Sequence, residues 1–218
     1  MKNGIKIRRT LGILVLMLAA VSAHAEGLWT VTAELTPGEK YSTVRWFGIM
    51  PVKLVPQMAL WIETADGGFR ETIYSTRRNS ENDWRGADER SEALPVYNGR
   101  RGNLDALGSA SPKGKGIISL NGEVAIPPGK YVFYGEVNKS FDYNDSYPEG
   151  DTGVNGQPSL VYRGGIEFTG DREVYRVVLS PVGTGSVDGS NGAITPGTAG
   201  LTTGLEILKS VELVLEKR

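Results

Sequence analysis

The sequence predicts an all-β chain, an antiparallel sandwich with long loops, and three observations carry that expectation. Short segments alternate apolar and polar residues with a period of two, the signature of strands buried on one face. Turn residues recur every ~8–12 positions between them, the spacing of sandwiches and barrels. Nothing in the chain reads as a βαβ unit, so a parallel sheet with crossover helices is not expected.

Residues 1–25 read as an export signal. Lys2, Lys6, Arg8 and Arg9 form a basic start, 11–21 is an uncharged apolar run, and Ala23-His24-Ala25 is a cleavage site. The competing reading is a membrane anchor, but the run falls short of the ~20 apolar residues that span a bilayer. The expected location is therefore periplasmic or secreted, with one sandwich domain over 26–218. Removing the signal leaves 20 Lys and Arg against 25 Asp and Glu, a net charge of about −5. That balance argues against a nucleic-acid partner and against attraction to an anionic membrane surface. The chain has no cysteine, and its one histidine, His24, lies in the signal. Ser–His–Asp and Cys–His catalysis, His/Cys zinc sites and disulfides are thereby excluded from the exported domain.

The elements follow in order. Over 28–35, Trp29, Val31, Ala33 and Leu35 share one face of a strand. A strand over 41–47 follows Pro37-Gly38, and Pro51 and Pro56 bracket an irregular link at 52–55. Segments 57–63 and 69–75 form a hairpin over Asp66-Gly67-Gly68, whose glycines suit positive φ. The stretch 76–116 is long, polar and arginine-rich, with a short helix expected around 88–94. Asn121-Gly122 predicts a tight turn between strand pieces 117–120 and 123–126. Pro127-Pro128-Gly129 then delivers 130–138, apolar on both faces at first and so a central strand. Tyr131, just after that turn, suits a tyrosine corner with its hydroxyl on backbone. An acidic, aromatic loop covers 139–158. Strands at 160–168 and 173–179 flank Gly170-Asp171-Arg172. Gly, Ser and Thr dominate 183–204, read as a flexible loop. A last strand is expected at 210–216, with a helix over 205–215 as the alternative.

Candidate site residues fall in the two long loops. Tyr143 and Tyr147, with Trp84 and Arg85, are the candidates for ligand binding, because aromatic and arginine side chains are enriched at interfaces. Asp142, Asn144 and Asp145 offer the oxygen ligands that calcium takes, though without the glycine and bidentate glutamate of an EF-hand; a solvated acidic loop is the competing reading. No other cofactor is expected. No G-x-S-x-G, S-x-x-K or P-loop pattern occurs, and the single Arg163-Gly164-Gly165 carries little weight as an RNA-binding unit.

Two motifs add a resemblance. Trp61-Ile62-Glu63, with Gly67, Phe69 and Thr72, resembles the opening hairpin of the domain-of-unknown-function family 2271 of predicted periplasmic proteins. Pro127-Pro128-Gly129-Lys130-Tyr131, followed by Glu136-Val137-Asn138, resembles a later strand of that family and is similar to the immunoglobulin-like domain of flagellar hook-assembly proteins. The resemblance spans about 56–162 and implies a periplasmic immunoglobulin-like sandwich, without an activity to carry over. The expected function is binding or accessory, not enzymatic: loops that contact an envelope protein or small ligand. A carboxylate-dependent hydrolase of envelope glycans and a structural subunit of a surface appendage are the alternatives.

Overall fold

The computed structural model describes residues 27–79, 90–101, 108–109, 112, 114 and 116–218. The export segment, Trp84 and Arg85 lie outside the described residues. The fold is all-β. Its strands are β1 (Gly27–Pro37), β2 (Thr43–Phe47), β3 (Met50–Leu54), β4 (Gln57–Thr64), β5 (Phe69–Thr76), β6 (Gly108–Ser109), β7 (Ile118–Ile126), β8 (Gly129–Asn138), β9 (Leu160–Phe168), β10 (Val174–Thr184), β11 (Thr195–Pro196) and β12 (Leu208–Lys217). Two short helices, α1 (Pro95–Arg101) and α2 (Glu149–Thr152), lie in the long loops. No helix among the described residues is long and apolar enough to cross a membrane.

One sheet makes both walls of the sandwich. Its order is β6-β5-β4-β8-β9-β10-β12-β1-β7, antiparallel except for the β5–β6 pair. The bend lies in β10, whose residues 174–179 pair with β12 and whose residues 180–184 pair with β9. At the other end β5 comes back to β7. There Gly122 faces the Ile73 carbonyl, and the Glu71 carboxylate accepts the Ala125 N–H. The sheet is thus nearly closed into a barrel, which leaves few open edges to pair with another chain.

The alternation in the sequence places the core. Trp29, Val31, Ala33 and Leu35 of β1 are buried between the walls with Leu60, Ile62, Phe133, Leu213 and Leu215. At one end Trp29, Phe168 and Tyr175 meet edge-on or tilted, with ring centroids 4.6–5.5 Å apart, the geometry aromatic quadrupoles favour. Tyr131 donates from its hydroxyl to the Pro127 carbonyl at 2.8 Å, as the tyrosine-corner reading expected. A second cluster lies outside the barrel wall. Ala59, Trp61, Val132, Tyr134 and Val161 are covered there by Leu94, Val96 and Tyr97. β4 and β8 are therefore buried on both faces, which is why their sequences lack a polar side.

Three expectations about elements need correction. Asn121-Gly122 is no turn: β7 runs straight through it, paired with β1 from Ile118 to Ile126. Gly122 serves close approach instead, since a Cβ there would lie 3.1 Å from the Ile73 carbonyl oxygen, and Asn121 accepts a hydrogen bond from Thr32 Oγ1. The link 52–55 is not irregular, because β3 pairs with β2 along its whole length. The loop helix begins later than expected: a 3₁₀ turn at Ser91–Ala93 precedes α1. Pro95 opens α1, where a missing N–H costs nothing. The buried Glu136 carboxylate accepts the next two N–H groups, from Val96 (3.2 Å) and Tyr97 (2.7 Å), and a bond from Ser159 Oγ (2.5 Å). Of the two readings of 205–215, the strand is realised as β12 after a 3₁₀ turn at Thr203–Glu206. The glycine-rich segment 183–204 lies against the fold: Ile194 packs on the outer cluster, and Leu201 joins the inner core.

Candidate interaction surface

β2 and β3 form a two-stranded ribbon separate from the main sheet. Residues opposite one another in an antiparallel pair share a face, so Arg45 and Phe47 lie with Val52 and Met50, and Val44 and Trp46 with Lys53 and Pro51. The first face turns toward the loop 139–158. The Arg45 guanidinium sits 4.6 Å from the Phe141 ring, 5.4 Å from Tyr143 and 5.7 Å from Phe47. It also donates to Glu149 Oε1 at 3.0 Å. Phe47 meets Phe141 edge-on at 5.4 Å. One cation thus binds three rings and a carboxylate, and each ring contact contributes ~0.5–2 kcal/mol depending on exposure.

The opposite face, Val44, Trp46 and Pro51 with the charged Lys53, is open, and so is the apolar tip. Val44 is 61%, Trp46 65%, Ile49 92% and Met50 64% exposed. Scattered exposed apolar residues are ordinary, whereas a contiguous set on one projecting element marks an interaction site. A two-stranded ribbon is marginal in water by itself, so its geometry depends on the loop it clasps.

That loop is firmly built. Phe141 is the one non-glycine residue among those described with positive φ, at 60°. Such backbone costs about 1–3 kcal/mol and persists only where surroundings fix it. Here the Phe141 N–H donates to the Val154 carbonyl at 2.8 Å, and its ring lies under Arg45. Buried Arg90 donates to Glu92 (3.0 Å), Ser140 and Asn155, tying the loop to the 3₁₀ turn before α1. Tyr143 donates to the Gly153 carbonyl at 2.7 Å. Burial, and then the neighbouring Glu149 carboxylate, push its phenol above the ordinary value, so it remains a neutral donor.

The sequence-predicted residues divide on these contacts. Tyr143 joins the Arg45 cluster beside the ribbon. Tyr147 leans instead on the core and on Gly200. Asp142 Oδ1 and Asn144 Oδ1 are already hydrogen-bonded within the protein. Asp142 Oδ1 accepts from Thr203 Oγ1 at 2.7 Å and lies 3.6 Å from the Lys139 ammonium. Lys139 is itself buried and donates to the Lys40 carbonyl at 2.7 Å. Burial lowers its pKa, with Asp142 opposing. An ammonium therefore stands beside the Asp142 carboxylate, one of the expected calcium ligands. Asn144 Oδ1 accepts the N–H groups of Ser146 and Tyr147 at 2.9 Å, an Asx turn, while Asp145 is exposed. Among the described residues no group of three or more His, Cys, Asp or Glu is placed to hold a metal ion. Sequence reasoning missed Arg45, Trp46, Ile49 and Met50. The available signal was Trp46-Phe47-Gly48-Ile49-Met50, an apolar run broken by glycine, which suits an exposed hairpin tip better than a core strand. No protein-family model, curated protein or solved structure matches this chain.

Proposed function

We propose that this is an exported, non-enzymatic binding module that captures a protein partner in the cell envelope with the β2–β3 ribbon. The observation that carries the reading is the ribbon's construction: the large apolar side chains Val44, Trp46, Ile49 and Met50 held open to solvent, presented by a base that Arg45 fixes to Phe141, Tyr143 and Glu149. Pre-organised aromatic and aliphatic anchors are what interface hot spots are made of. The export-type segment at 1–25 supports an envelope location.

The two carboxylates buried among the described residues favour binding over glycan hydrolysis. A carboxylate hydrolase needs two carboxyls ~5–10 Å apart facing substrate. Glu136 is spent on the α1 N–H groups, and Glu63 accepts from Trp61 Nε1 (2.8 Å) and Arg100 (3.1 Å). The test is a photo-crosslinker at the tip, Ile49→p-benzoylphenylalanine, in the full chain expressed in its host. One discrete protein adduct is expected, and its loss when Trp46→Asp is added. Adducts to lipid alone, or none, would sink the reading.

A further inference from the structure

The two outer edges of the β2–β3 ribbon are not alike. Gly48 and Ile49 form a two-residue turn between the paired Phe47 and Met50, and Gly48 supplies the positive φ, 61°, that such turns take at their first central position. Residues opposite one another in an antiparallel ribbon alternate between pairs that exchange both N–H···O bonds and pairs whose N–H and C=O groups point outward. Pro51 fixes which is which. It has no N–H, yet the β2–β3 register runs unbroken through it, so Trp46 and Pro51 are an outward pair. Val44 and Lys53, two positions on, are the next. The outer edge of β2 therefore offers the N–H and C=O groups of both Val44 and Trp46, whereas the outer edge of β3 lacks the donor at Pro51.

Exposed strand edges are ordinarily guarded by proline, by lysine or by a covering element. β3 has Pro51 and Lys53. β2 has neither: its one charge, Arg45, is turned to the loop 139–158, and Thr43, Val44, Trp46 and Phe47 are all residues that favour strands. Among the described residues β2 pairs with β3 alone, so no strand lies along this edge. The Val44 and Trp46 side chains stand exposed beside it, on the face away from the loop.

We infer that the envelope partner adds a strand to the outer edge of β2: an extended segment of its chain pairs with the backbone of Val44 and Trp46 and lays alternate apolar side chains on theirs. Main-chain groups that recur roughly every 7 Å along an edge fit another extended chain, and neither a helix nor a lipid offers that repeat. Backbone pairing supplies the affinity, and the side chains over Val44 and Trp46 supply the selectivity. The inference rests on the ribbon's being the capture surface and adds the conformation of what it captures.

The readout is the adduct formed by Ile49→p-benzoylphenylalanine in the full chain expressed in its host. Val44 and Lys53 face each other in the ladder, so proline at either removes an outward N–H and disturbs the ribbon alike, but only Val44→Pro touches the proposed edge. Val44→Pro should lower the adduct yield at least about 5-fold, the scale of one or two lost hydrogen bonds, while Lys53→Pro and Val44→Ile should stay within about 2-fold of the parent. Replacing Trp46 by its α-hydroxy analogue keeps the indole and exchanges the N–H for an ester oxygen, and should lower the yield about 3–10-fold. Mapping the adduct should return a partner segment with apolar residues at alternate positions. Chymotrypsin cleavage after Trp46 or Phe47 reports whether the two proline variants keep the ribbon equally well; if Val44→Pro is cleaved faster, the ester variant alone decides. Equal yields from the two proline variants, or an ester without effect, would overturn strand addition and leave ribbon capture standing. Absence of any protein adduct from the parent would sink ribbon capture itself, and strand addition with it. An adduct between two copies of this chain would assign the edge to self-association and overturn the inference.

Discussion

Glu136 shows how much depends on one carboxylate. It is fully buried on β8, and burial raises its pKa from 4.5 to about 7 against the hydrogen bonds from Ser159, Tyr97 and Val96. The folded protein therefore holds this proton more tightly than the unfolded chain does. The stability that follows is fully present below pH 4.5 and lost as pH rises through about 7. Glu136→Gln keeps an oxygen for the α1 N–H groups and offers Ser159 an amide, but it does not titrate. Urea unfolding across this window should show wild type losing on the order of 2–3 kcal/mol relative to the variant. Parallel pH profiles for the two proteins would assign the titration elsewhere. Tyr131→Phe tests a neutral bond at the same scale: loss of the hydroxyl's bond to Pro127 should cost about 1 kcal/mol by the same assay. An unchanged midpoint would make the corner ornamental.

At the scale of elements, the sequence was most legible where one local rule governed. Trp29, Val31, Ala33 and Leu35 alternate, and all four are buried. The hairpin of β4 and β5 formed over Asp66-Gly67-Gly68 as its turn residues predict. Rules failed where tertiary partners overrode them. Asn121-Gly122 has the turn residues, but β1 on one side and Ile73 on the other hold it extended. The resemblance motifs also have local structural roles. Trp61 donates to Glu63 two residues on, Thr72 bonds the Tyr97 hydroxyl, and Tyr131 bonds Pro127. Such short patterns record packing, and they could not have located the ribbon. Its partners Phe141, Tyr143 and Glu149 lie about a hundred residues from Arg45 in sequence. Arg45→Ala tests that long-range clasp. Global stability should fall by no more than about 1–2 kcal/mol, while chymotrypsin cleavage after Trp46 or Phe47 should accelerate several-fold, because local opening no longer breaks the cation's contacts. Unchanged cleavage kinetics would mean the ribbon holds its place without Arg45.

For the molecule as a whole, the decisive feature is that one sheet turns back on itself within β10, and the crossing it requires is tight. Gly164 of β9 lies where that strand passes the bend. A Cβ there would stand 2.6 Å from the Val178 carbonyl oxygen, 2.7 Å from Leu179 Cδ2 and 2.8 Å from Val177 Cγ1. This explains the Arg163-Gly164-Gly165 triplet as architecture: the glycine lets two backbones approach, with no nucleic acid needed. Gly165, by contrast, has only the Tyr131 carbonyl oxygen near its Cβ position, at 3.8 Å. The pair makes an internal control. Gly165→Ala should leave the unfolding midpoint close to wild type, with the small gain that loss of glycine's unfolded-state freedom brings, up to about 1 kcal/mol. Gly164→Ala forces a backbone carbonyl, not a flexible side chain, to move, and should destabilise by about 1–3 kcal/mol. The change lies in the hinge between the walls, and the ribbon's protease sensitivity should stay constant. Equal effects of the two alanines on stability would show that β9 and β10 have slack at the crossing, and that the bend is not set by Gly164.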